Sequence, residues 1–270
     1  MNSPKAPPII ALLTDFGTRD HFVGVMKGVI AGICPQARII DISHDIEPQN
    51  VAQGAFVLHV SRRYFPDETV FVCVVDPGVG TERRPVAVRA GGSWFAGPDN
   101  GLLYPEWESR TPRVDDAIVE LDNPDFWLED VSGTFHGRDI FAPVAAHLAL
   151  GVAATEMGAY VTDLVGLSIA KPKPLDDGST QLVVLHVDRF GNLVTNMRSD
   201  ALPHQRSSVT FSIGGVEAAG VQANFASSEK LIAVAGSSGY IELAVPGGSA
   251  AEALDSGLGA TVIMRLGDSS

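Results

Sequence analysis

Residues 70–84, VFVCVVDPGVGTERR, constrain this chain more than any other stretch. Val70 to Val75 is an unbroken apolar run whose length and β-branched content suit a strand inside a sheet. Asp76-Pro77-Gly78-Val79-Gly80 stops it abruptly, because proline and glycine force a turn. One carboxylate is thereby set at the carboxyl end of a central strand, where open α/β sheets bind their ligands. Arg83 and Arg84 then return two cations past the same turn. A carboxylate, tight glycines and a guanidinium read either as the rim of an active site or as a surface ion pair.

Around this strand the pattern alternates. Ile9 to Leu13 reads as a strand, Phe22 to Ile33 as a helix stopped by Pro35, and Arg38 to Ile42 as a second strand. Asn50 to Tyr64, between Pro48 and Pro66, reads as a second helix. Strand, helix, strand, helix, strand specifies a mostly parallel sheet with right-handed crossovers. Pro85 to Arg89, Ser93 to Ala96 and Ile118 to Leu121 read as further strands. An apolar helix is expected over Ile140 to Leu150, capped by Asp139.

Beyond residue 168 the pattern changes. Ile169 to Thr180 holds two prolines, a glycine and mixed charge, and reads as a linker. Gln181 to Val187, Ser208 to Ile213, Lys230 to Ala235, Tyr240 to Val245 and Ala260 to Arg265 are strand-like, with no convincing helix between them. The expectation is an α/β class protein. An N-terminal α/β domain with a central mostly parallel sheet covers 1–168, and a smaller all-β domain, a barrel or sandwich, covers 181–270.

Acidic residues outnumber basic ones 32 to 19, for a net charge of −13, and there is no basic block. That argues against a nucleic-acid partner. Cys34 and Cys73 stand far apart with no Cys-x-x-Cys partner and read as buried free thiols, which fits a reducing cytoplasm. The apolar run near the amino terminus, Ile9 to Leu13, is too short for a signal peptide or a membrane span. The expectation is a cytoplasmic protein with no membrane partner.

The phosphate loop, the dinucleotide fingerprint, the nucleophile elbow and the zinc helix are all missing from the sequence. What remains is a set of polar residues at strand ends and in glycine loops: Asp15, Asp20, Asp76, Arg83, Asp99, Asn100, His136, Arg138 and Asp139. Each has a plain structural alternative as a cap, a solvated carboxylate or an ion pair. His44 beside Asp45 reads as a loop hydrogen bond ahead of a metal ligand. In the second half, Asp188-Arg189-Phe190-Gly191-Asn192 sets an aromatic beside an amide at a turn, suited to stacking on a base and bonding its edge. A core phenylalanine and a turn asparagine explain it equally well.

Seven segments occur in order: TDFGTRD (14–20), DISHDIEPQNV (41–51), VVDPGVGTERRP (74–85), GPDNGLL (97–103), TFHGRD (134–139), DRFGNLVTN (188–196) and GSSGY (236–240). On these the chain resembles the S-adenosyl-L-methionine hydroxide adenosyltransferase family, relatives of the fluorinase and chlorinase, across residues 8 to 266. The resemblance implies a C-terminal β-barrel and a homotrimer with sites at subunit interfaces. It also implies a metal-free reaction, without a cofactor, in which water or hydroxide displaces methionine from the ribose 5′-carbon and leaves adenosine. By the same resemblance the catalytic set is Asp76, Arg83 and His136, with Arg84 the neighbouring alternative to Arg83. Asp15 would take the ribose hydroxyls, Asp20 and Asp188 the methionine ammonium, and Ser237 its carboxylate. Phe190 would stack on adenine, Asn192 would bond its edge, and backbone near Val245 would complete that contact. Phe225 and Glu242 are further implied pocket members. Two positions depart from the fluorinase pattern: Ser238 replaces an arginine and Gly137 replaces a halide-binding serine.

Three functions compete at this point. The first is hydrolysis of S-adenosyl-L-methionine, with Asp76, Arg83 and His136 positioning water. A halogenase acting at the same carbon is the second, and it needs a desolvated pocket of donors without a base. The third is a sensor that binds the sulfonium or adenosine without turnover.

Overall fold

In the computed structural model of the protein, residues 6–108, 113–167, 170–202, 208–225 and 230–267 are described. The chain forms two compact units, Met1–Leu167 and Ser168–Ser270.

The first unit is built on strands whose alternate residues face two separate cores. Its elements are β1 (Ile9–Thr14), α1 (Phe22–Ile33), β2 (Arg38–Ser43), α2 (Val51–Arg62), β3 (Val70–Val74), β4 (Pro85–Ala90), β5 (Ser93–Pro98), α3 (Tyr104–Glu108), β6 (Ala117–Glu120), α4 (Ala142–Leu150) and β7 (Tyr160–Val161). In β1, Ile10 and Leu12 face one core while Ala11 and Leu13 face the other. In β3, Val70, Val72 and Val74 join the first core, and Phe71 and Cys73, followed by Val75, join the second. The period of two explains why these runs are apolar throughout: both faces of the strand are covered. Helices α1 and α4 supply the first core through Met26, Ile30, Val144 and Ala145, and α2 supplies the second through Ala55 and Leu58.

The seven strands lie in the order β2-β1-β3-β5-β4-β6-β7. Neighbours β2, β1, β3 and β5 are parallel, whereas β4, β6 and β7 add antiparallel pairings. Thr14 pairs with Val74, so the loops after β1 and β3 leave the sheet side by side. Asn50 lies outside α2 and caps it, its side chain accepting the Gln53 N–H at 3.0 Å. The expected helix over Ile140 to Leu150 is only partly α. Gly137–Phe141 is a π-turn, and Asp139 lies inside it instead of capping it.

The second unit comprises β8 (Lys173–Pro174), β9 (Thr180–Val187), β10 (Leu193–Arg198), β11 (Val209–Ile213), β12 (Val216–Ala219), β13 (Val221–Gln222), β14 (Ile232–Ala235), β15 (Tyr240–Ala244), α5 (Ala250–Ala253) and β16 (Thr261–Leu266). Its sheet runs β12-β11-β16-β9-β10-β15-β14-β13, with β8 pairing β9. Strand β12, at one end of this path, approaches β14 near the other, which makes the sheet a nearly closed barrel. Its interior is filled by Leu182, Val184, Leu193, Phe211, Ile241 and Val262 among others. The strip read as linker contains β8. The absence of a helix expected here is corrected by α5, a single turn that Ser249 caps by accepting the Glu252 N–H at 3.1 Å. Four residues are too short for a helical period to register in the sequence.

Candidate active site

The strand end marked out by the sequence carries an ion-paired constellation. Arg83 returns after the Asp76–Gly80 turn and faces Asp76 with two nitrogens. Its Nε donates to both carboxylate oxygens at 3.0 Å, and its Nη2 donates to Oδ2 at 2.6 Å. The pair is nearly closed off from water, with the Asp76 side chain 4% and the Arg83 side chain 9% exposed. Nη2 also donates to Nδ1 of His136 at 2.7 Å. A guanidinium can only donate, so this ring nitrogen is unprotonated and the imidazole is held neutral with its proton on Nε2. Burial is the main influence lowering the His136 pKa, and the Arg83 cation adds to it. Asp76, Asp139 and the Ser132 backbone pull the other way without prevailing. Arg83 also stacks its guanidinium 5.4 Å from the centre of the Phe141 ring. Its Nη1 makes no hydrogen bond to the described residues.

Two glycines allow the loops to meet. Gly80 has φ +76°, and a Cβ there would run into the carbonyl oxygen of Gly133, so this position needs glycine twice over. At Gly137 a Cβ would lie 3.2 Å from Phe16, 3.3 Å from Phe135 and 3.4 Å from the Met26 sulfur. Gly137 follows His136 directly and opens the π-turn, a distortion found often at functional sites. Asp139 anchors that turn from within. Fully buried, it pairs with Arg138 and accepts the Ser132 N–H at 2.9 Å. Burial pushes its carboxyl upward, but the Arg138 and Ser132 hydrogen bonds outweigh this and leave the pKa lowered.

Arg84 turns away from this group. Its Nη2 lies 2.6 Å from Asp99 and 3.2 Å from Asp163. The geometry therefore separates the adjacent arginines, with Arg83 in the constellation and Arg84 bracing the neighbouring loop. Asn100 donates its amide to the Val75 carbonyl at 2.8 Å, fixing the residue just before Asp76.

The other unit 1 candidates lie on the loop after β1. Asp15 is half-buried, and its Oδ2 accepts the Gln49 N–H at 2.7 Å. Asp20 is exposed. Phe16, between them, packs on Phe135 with ring centres 5.6 Å apart, so this loop abuts the segment carrying His136. Thr14, Gln49 and Phe141 were not singled out in the sequence. Thr14 ends an apolar strand directly before Asp15, and this placement is the only signal that could have flagged it.

In the second unit, Asp188, Phe190 and Asn192 form one turn. Asp188 Oδ1 accepts from the N–H groups of Phe190 and Asn192 at 2.9 Å, and Oδ2 accepts from the Asn192 amide at 2.8 Å. The turn presents Phe190 78% exposed, while Asn192 is buried with its amide oxygen uncommitted to Asp188. The Ala251 N–H donates to the Gly191 carbonyl at 3.0 Å, which brings the Val245–Gly248 turn alongside. Val245 itself accepts from Gly248 N–H at 3.0 Å. Ser237 lies in the Gly236–Tyr240 turn, and Phe225 is exposed. Glu242 is buried and accepts from the Ser238 hydroxyl at 3.3 Å. Burial raises its pKa, and the nearby Asp188 charge adds to this against the Ser238 hydrogen bond. Ser238 thus serves a carboxylate where the fluorinase pattern has a cation. Among the described residues, no group of three or more His, Cys, Asp or Glu side chains is arranged to hold a metal ion.

Comparison with known proteins shows the family of the chain. Residues 10–158 match the SAM hydroxide adenosyltransferase N-terminal domain, and residues 182–263 match its C-terminal domain. The chain belongs to the SAM hydroxide adenosyltransferase family. The (R)-S-adenosyl-L-methionine hydrolase of Salinispora arenicola is 47% identical over 69% of this chain and 70% of its own. That of Salinispora tropica is 41% identical over 92% of this chain and 94% of its own. Fluorinases are more distant members of the same group; that of an Actinoplanes species is 33% identical over 70% of this chain and 72% of its own. The crystal structure of an uncharacterized conserved protein from Thermotoga maritima has the same fold, with a TM-score of 0.87 and 36% identity over 94% of this chain and 99% of that one.

Proposed function

We propose that this protein hydrolyses S-adenosyl-L-methionine to adenosine and L-methionine, with Asp76, Arg83 and His136 presenting the water. The observation that carries this reading is the Asp76–Arg83–His136 constellation at the carboxyl edge of the sheet, its ion pair nearly closed off from water and His136 half-buried, in a chain whose family relatives bear the hydrolase name. That name specifies (R) as well as L. Because L already describes the amino-acid carbon, (R) describes the sulfonium centre, and the same epimer is proposed here as substrate.

The reaction exchanges one bond. A water oxygen forms a bond to the ribose 5′-carbon as the carbon–sulfur bond breaks, the sulfur keeps the electron pair as methionine, and one proton is released. The sulfonium leaves without acid assistance, so the difficulty is to hold water in line with the breaking bond. Arg83 Nη1 is the donor left to orient the water oxygen. The Asp76 carboxylate accepts the proton as it becomes acidic during attack. His136 has its only lone pair committed to Arg83, so its role is to orient the guanidinium, not to act as the base. Gly137 favours this reading over a halogenase: a halide-binding serine there would press on Phe16, Phe135 and Met26, and these side chains would have to give way.

Asp15 is proposed as the ribose acceptor, Asp20 and Asp188 as ammonium partners, and Ser237 as the carboxylate donor. Phe190, Asn192 and Val245 are proposed as the adenine site, with Phe225 and Glu242 at its margin. Residues 1–168 are proposed as the catalytic domain and 181–270 as the β-barrel domain, joined by 169–180. The family resemblance supports a homotrimer with sites at subunit interfaces, working in the cytoplasm without metal or cofactor. No helix among the described residues is long and apolar enough to cross a membrane.

The test is a chromatographic product assay on the separated sulfonium epimers, with and without added halide. Adenosine and methionine from the (R) epimer in every condition support the proposal. A 5′-halo product would move the protein to the halogenases. Bound ligand without product would make it a sensor.

A further inference from the structure

The DISHD segment plays no part in the chemistry above, yet it is tied closely to the loop that carries Asp15. Thr14 is fully buried at the end of β1, and its hydroxyl lies 2.8 Å from Nδ1 of His44 while accepting the Phe16 N–H at 3.2 Å. His44 is itself only 4% exposed. Its Nε2 lies 3.0 Å from Asp41 Oδ1, though off the line a good hydrogen bond needs, and Lys27 holds the other Asp41 oxygen at 2.6 Å. The His44 carbonyl accepts the Gly17 N–H at 2.7 Å. The loop after β2 and the loop after β1 are therefore fastened through one residue by both side chain and main chain.

Gln49 lies further along the same loop. Its φ is +67°, a left-handed backbone that residues with a Cβ seldom adopt. Strain of this kind persists where the surroundings impose it, and it clusters at ligand sites. Here it aims the Gln49 N–H at Asp15 Oδ2, 2.7 Å away.

We propose that His44 and Thr14 are positioning residues for Asp15: their buried hydrogen bond fixes the loop after β2 so that the Gln49 N–H holds the Asp15 carboxylate in the orientation that takes the ribose hydroxyls. This rests on the assignment of Asp15 to the ribose. His44 and Thr14 are both buried, and they act through the loop they fasten. Removing one partner leaves a buried polar group unpaired, so the loop shifts to satisfy it.

The test reads ribose recognition alone. Calorimetry on the full chain gives dissociation constants for adenosine and 2′-deoxyadenosine, and their ratio measures what the 2′-hydroxyl contributes. A hydroxyl bonded to a carboxylate makes that ratio about tenfold or more in the wild type. Asp15→Ala brings it near one. Thr14→Val keeps the side chain's shape without its hydroxyl and lowers the ratio by about threefold or more, whereas Thr14→Ser restores it. If Thr14→Val does not fold, His44→Asn against His44→Ala asks the same question, since only Asn puts an amide atom near the Nδ1 position. A wild-type ratio near one overturns both the ribose assignment and this inference. A high ratio that Asp15→Ala abolishes but Thr14→Val and His44→Ala leave intact overturns the inference alone. So does a lowered melting temperature with an unchanged ratio.

Discussion

Replacing Arg83 by lysine keeps the positive charge and discards the fork. In the native site Nε and Nη2 together span both oxygens of Asp76, at 3.0 and 2.6 Å, while Nη2 also reaches His136 at 2.7 Å. A lysine ammonium is a point donor on a flexible stem and cannot satisfy Asp76 and His136 together while leaving a donor for water. At least one charge-assisted hydrogen bond is lost from a site closed to solvent, worth about 1.5 to 3 kcal/mol. At about 1.4 kcal/mol per tenfold, kcat should fall by about ten- to a hundredfold or more. KM should change little, because the proposed substrate-binding residues lie elsewhere. Arg84→Lys is the control. Arg84 pairs with Asp99 and Asp163, and its kcat should stay within about threefold of wild type, as expected for a partly exposed pair. Adenosine release at saturating substrate measures both variants. Equal losses in the two, or a loss confined to KM in Arg83→Lys, would refute the assignment of Arg83 to the reacting group.

Three other perturbations test neighbouring parts of the account. His136 has a pKa below its ordinary 6.5, so its contribution to stability is complete above that value and is lost as pH falls toward the folded-state value. An NMR titration should place its midpoint below 6.5 and move it upward in Arg83→Gln; a wild-type midpoint at or above 6.5 contradicts this. Glu242 is shifted the other way from its ordinary 4.5, so the folded chain loses stability as pH rises through the raised value. Glu242→Gln should therefore raise the melting temperature at about pH 7.5 and give no gain at about pH 4, whereas a uniform effect would show that burial of this charge is not costly. Gly137→Ser adds atoms where three side chains already crowd, and should cost about 1 to 3 kcal/mol in a denaturant titration without producing any 5′-halo product.

How far the sequence carried the reading differs between elements. Strands β1 and β3 were legible because both faces are buried, so every residue from Ile10 to Leu13 and from Val70 to Val75 had to be apolar. The link from Asp76 to the arginine pair was legible as a turn that returns a cation, but the preference for Arg83 over Arg84 came from the family resemblance and not from the residues themselves. Adjacent side chains leave the backbone in different directions, and only the partners, Asp76 against Asp99, distinguish them. Asp139 looked like a helix cap because an acid before an apolar helix usually is one. The π-turn instead takes it inside, where it pairs with Arg138 and holds the Ser132 N–H. Gln49 carried no signal at all, since its contribution is a backbone N–H set by a left-handed φ that a glutamine does not advertise. In the second unit β9, β11, β14, β15 and β16 were readable from alternation, whereas β10 was missed because its buried Thr195 and Asn196 interrupt the apolar pattern. Strands β12 and β13 are short and partly exposed, so the pattern that would reveal them is weak.

Water is proposed to attack the ribose 5′-carbon at the Asp76–Arg83–His136 site. This attack is tested most directly by turnover of the (R) sulfonium in ¹⁸O-labelled water, with mass spectrometry of both products. One ¹⁸O in the adenosine, unlabelled methionine, and loss of that labelled adenosine in Asp76→Ala are expected. Unlabelled adenosine, label in the amino-acid fragment, or full labelling by Asp76→Ala would contradict the proposal.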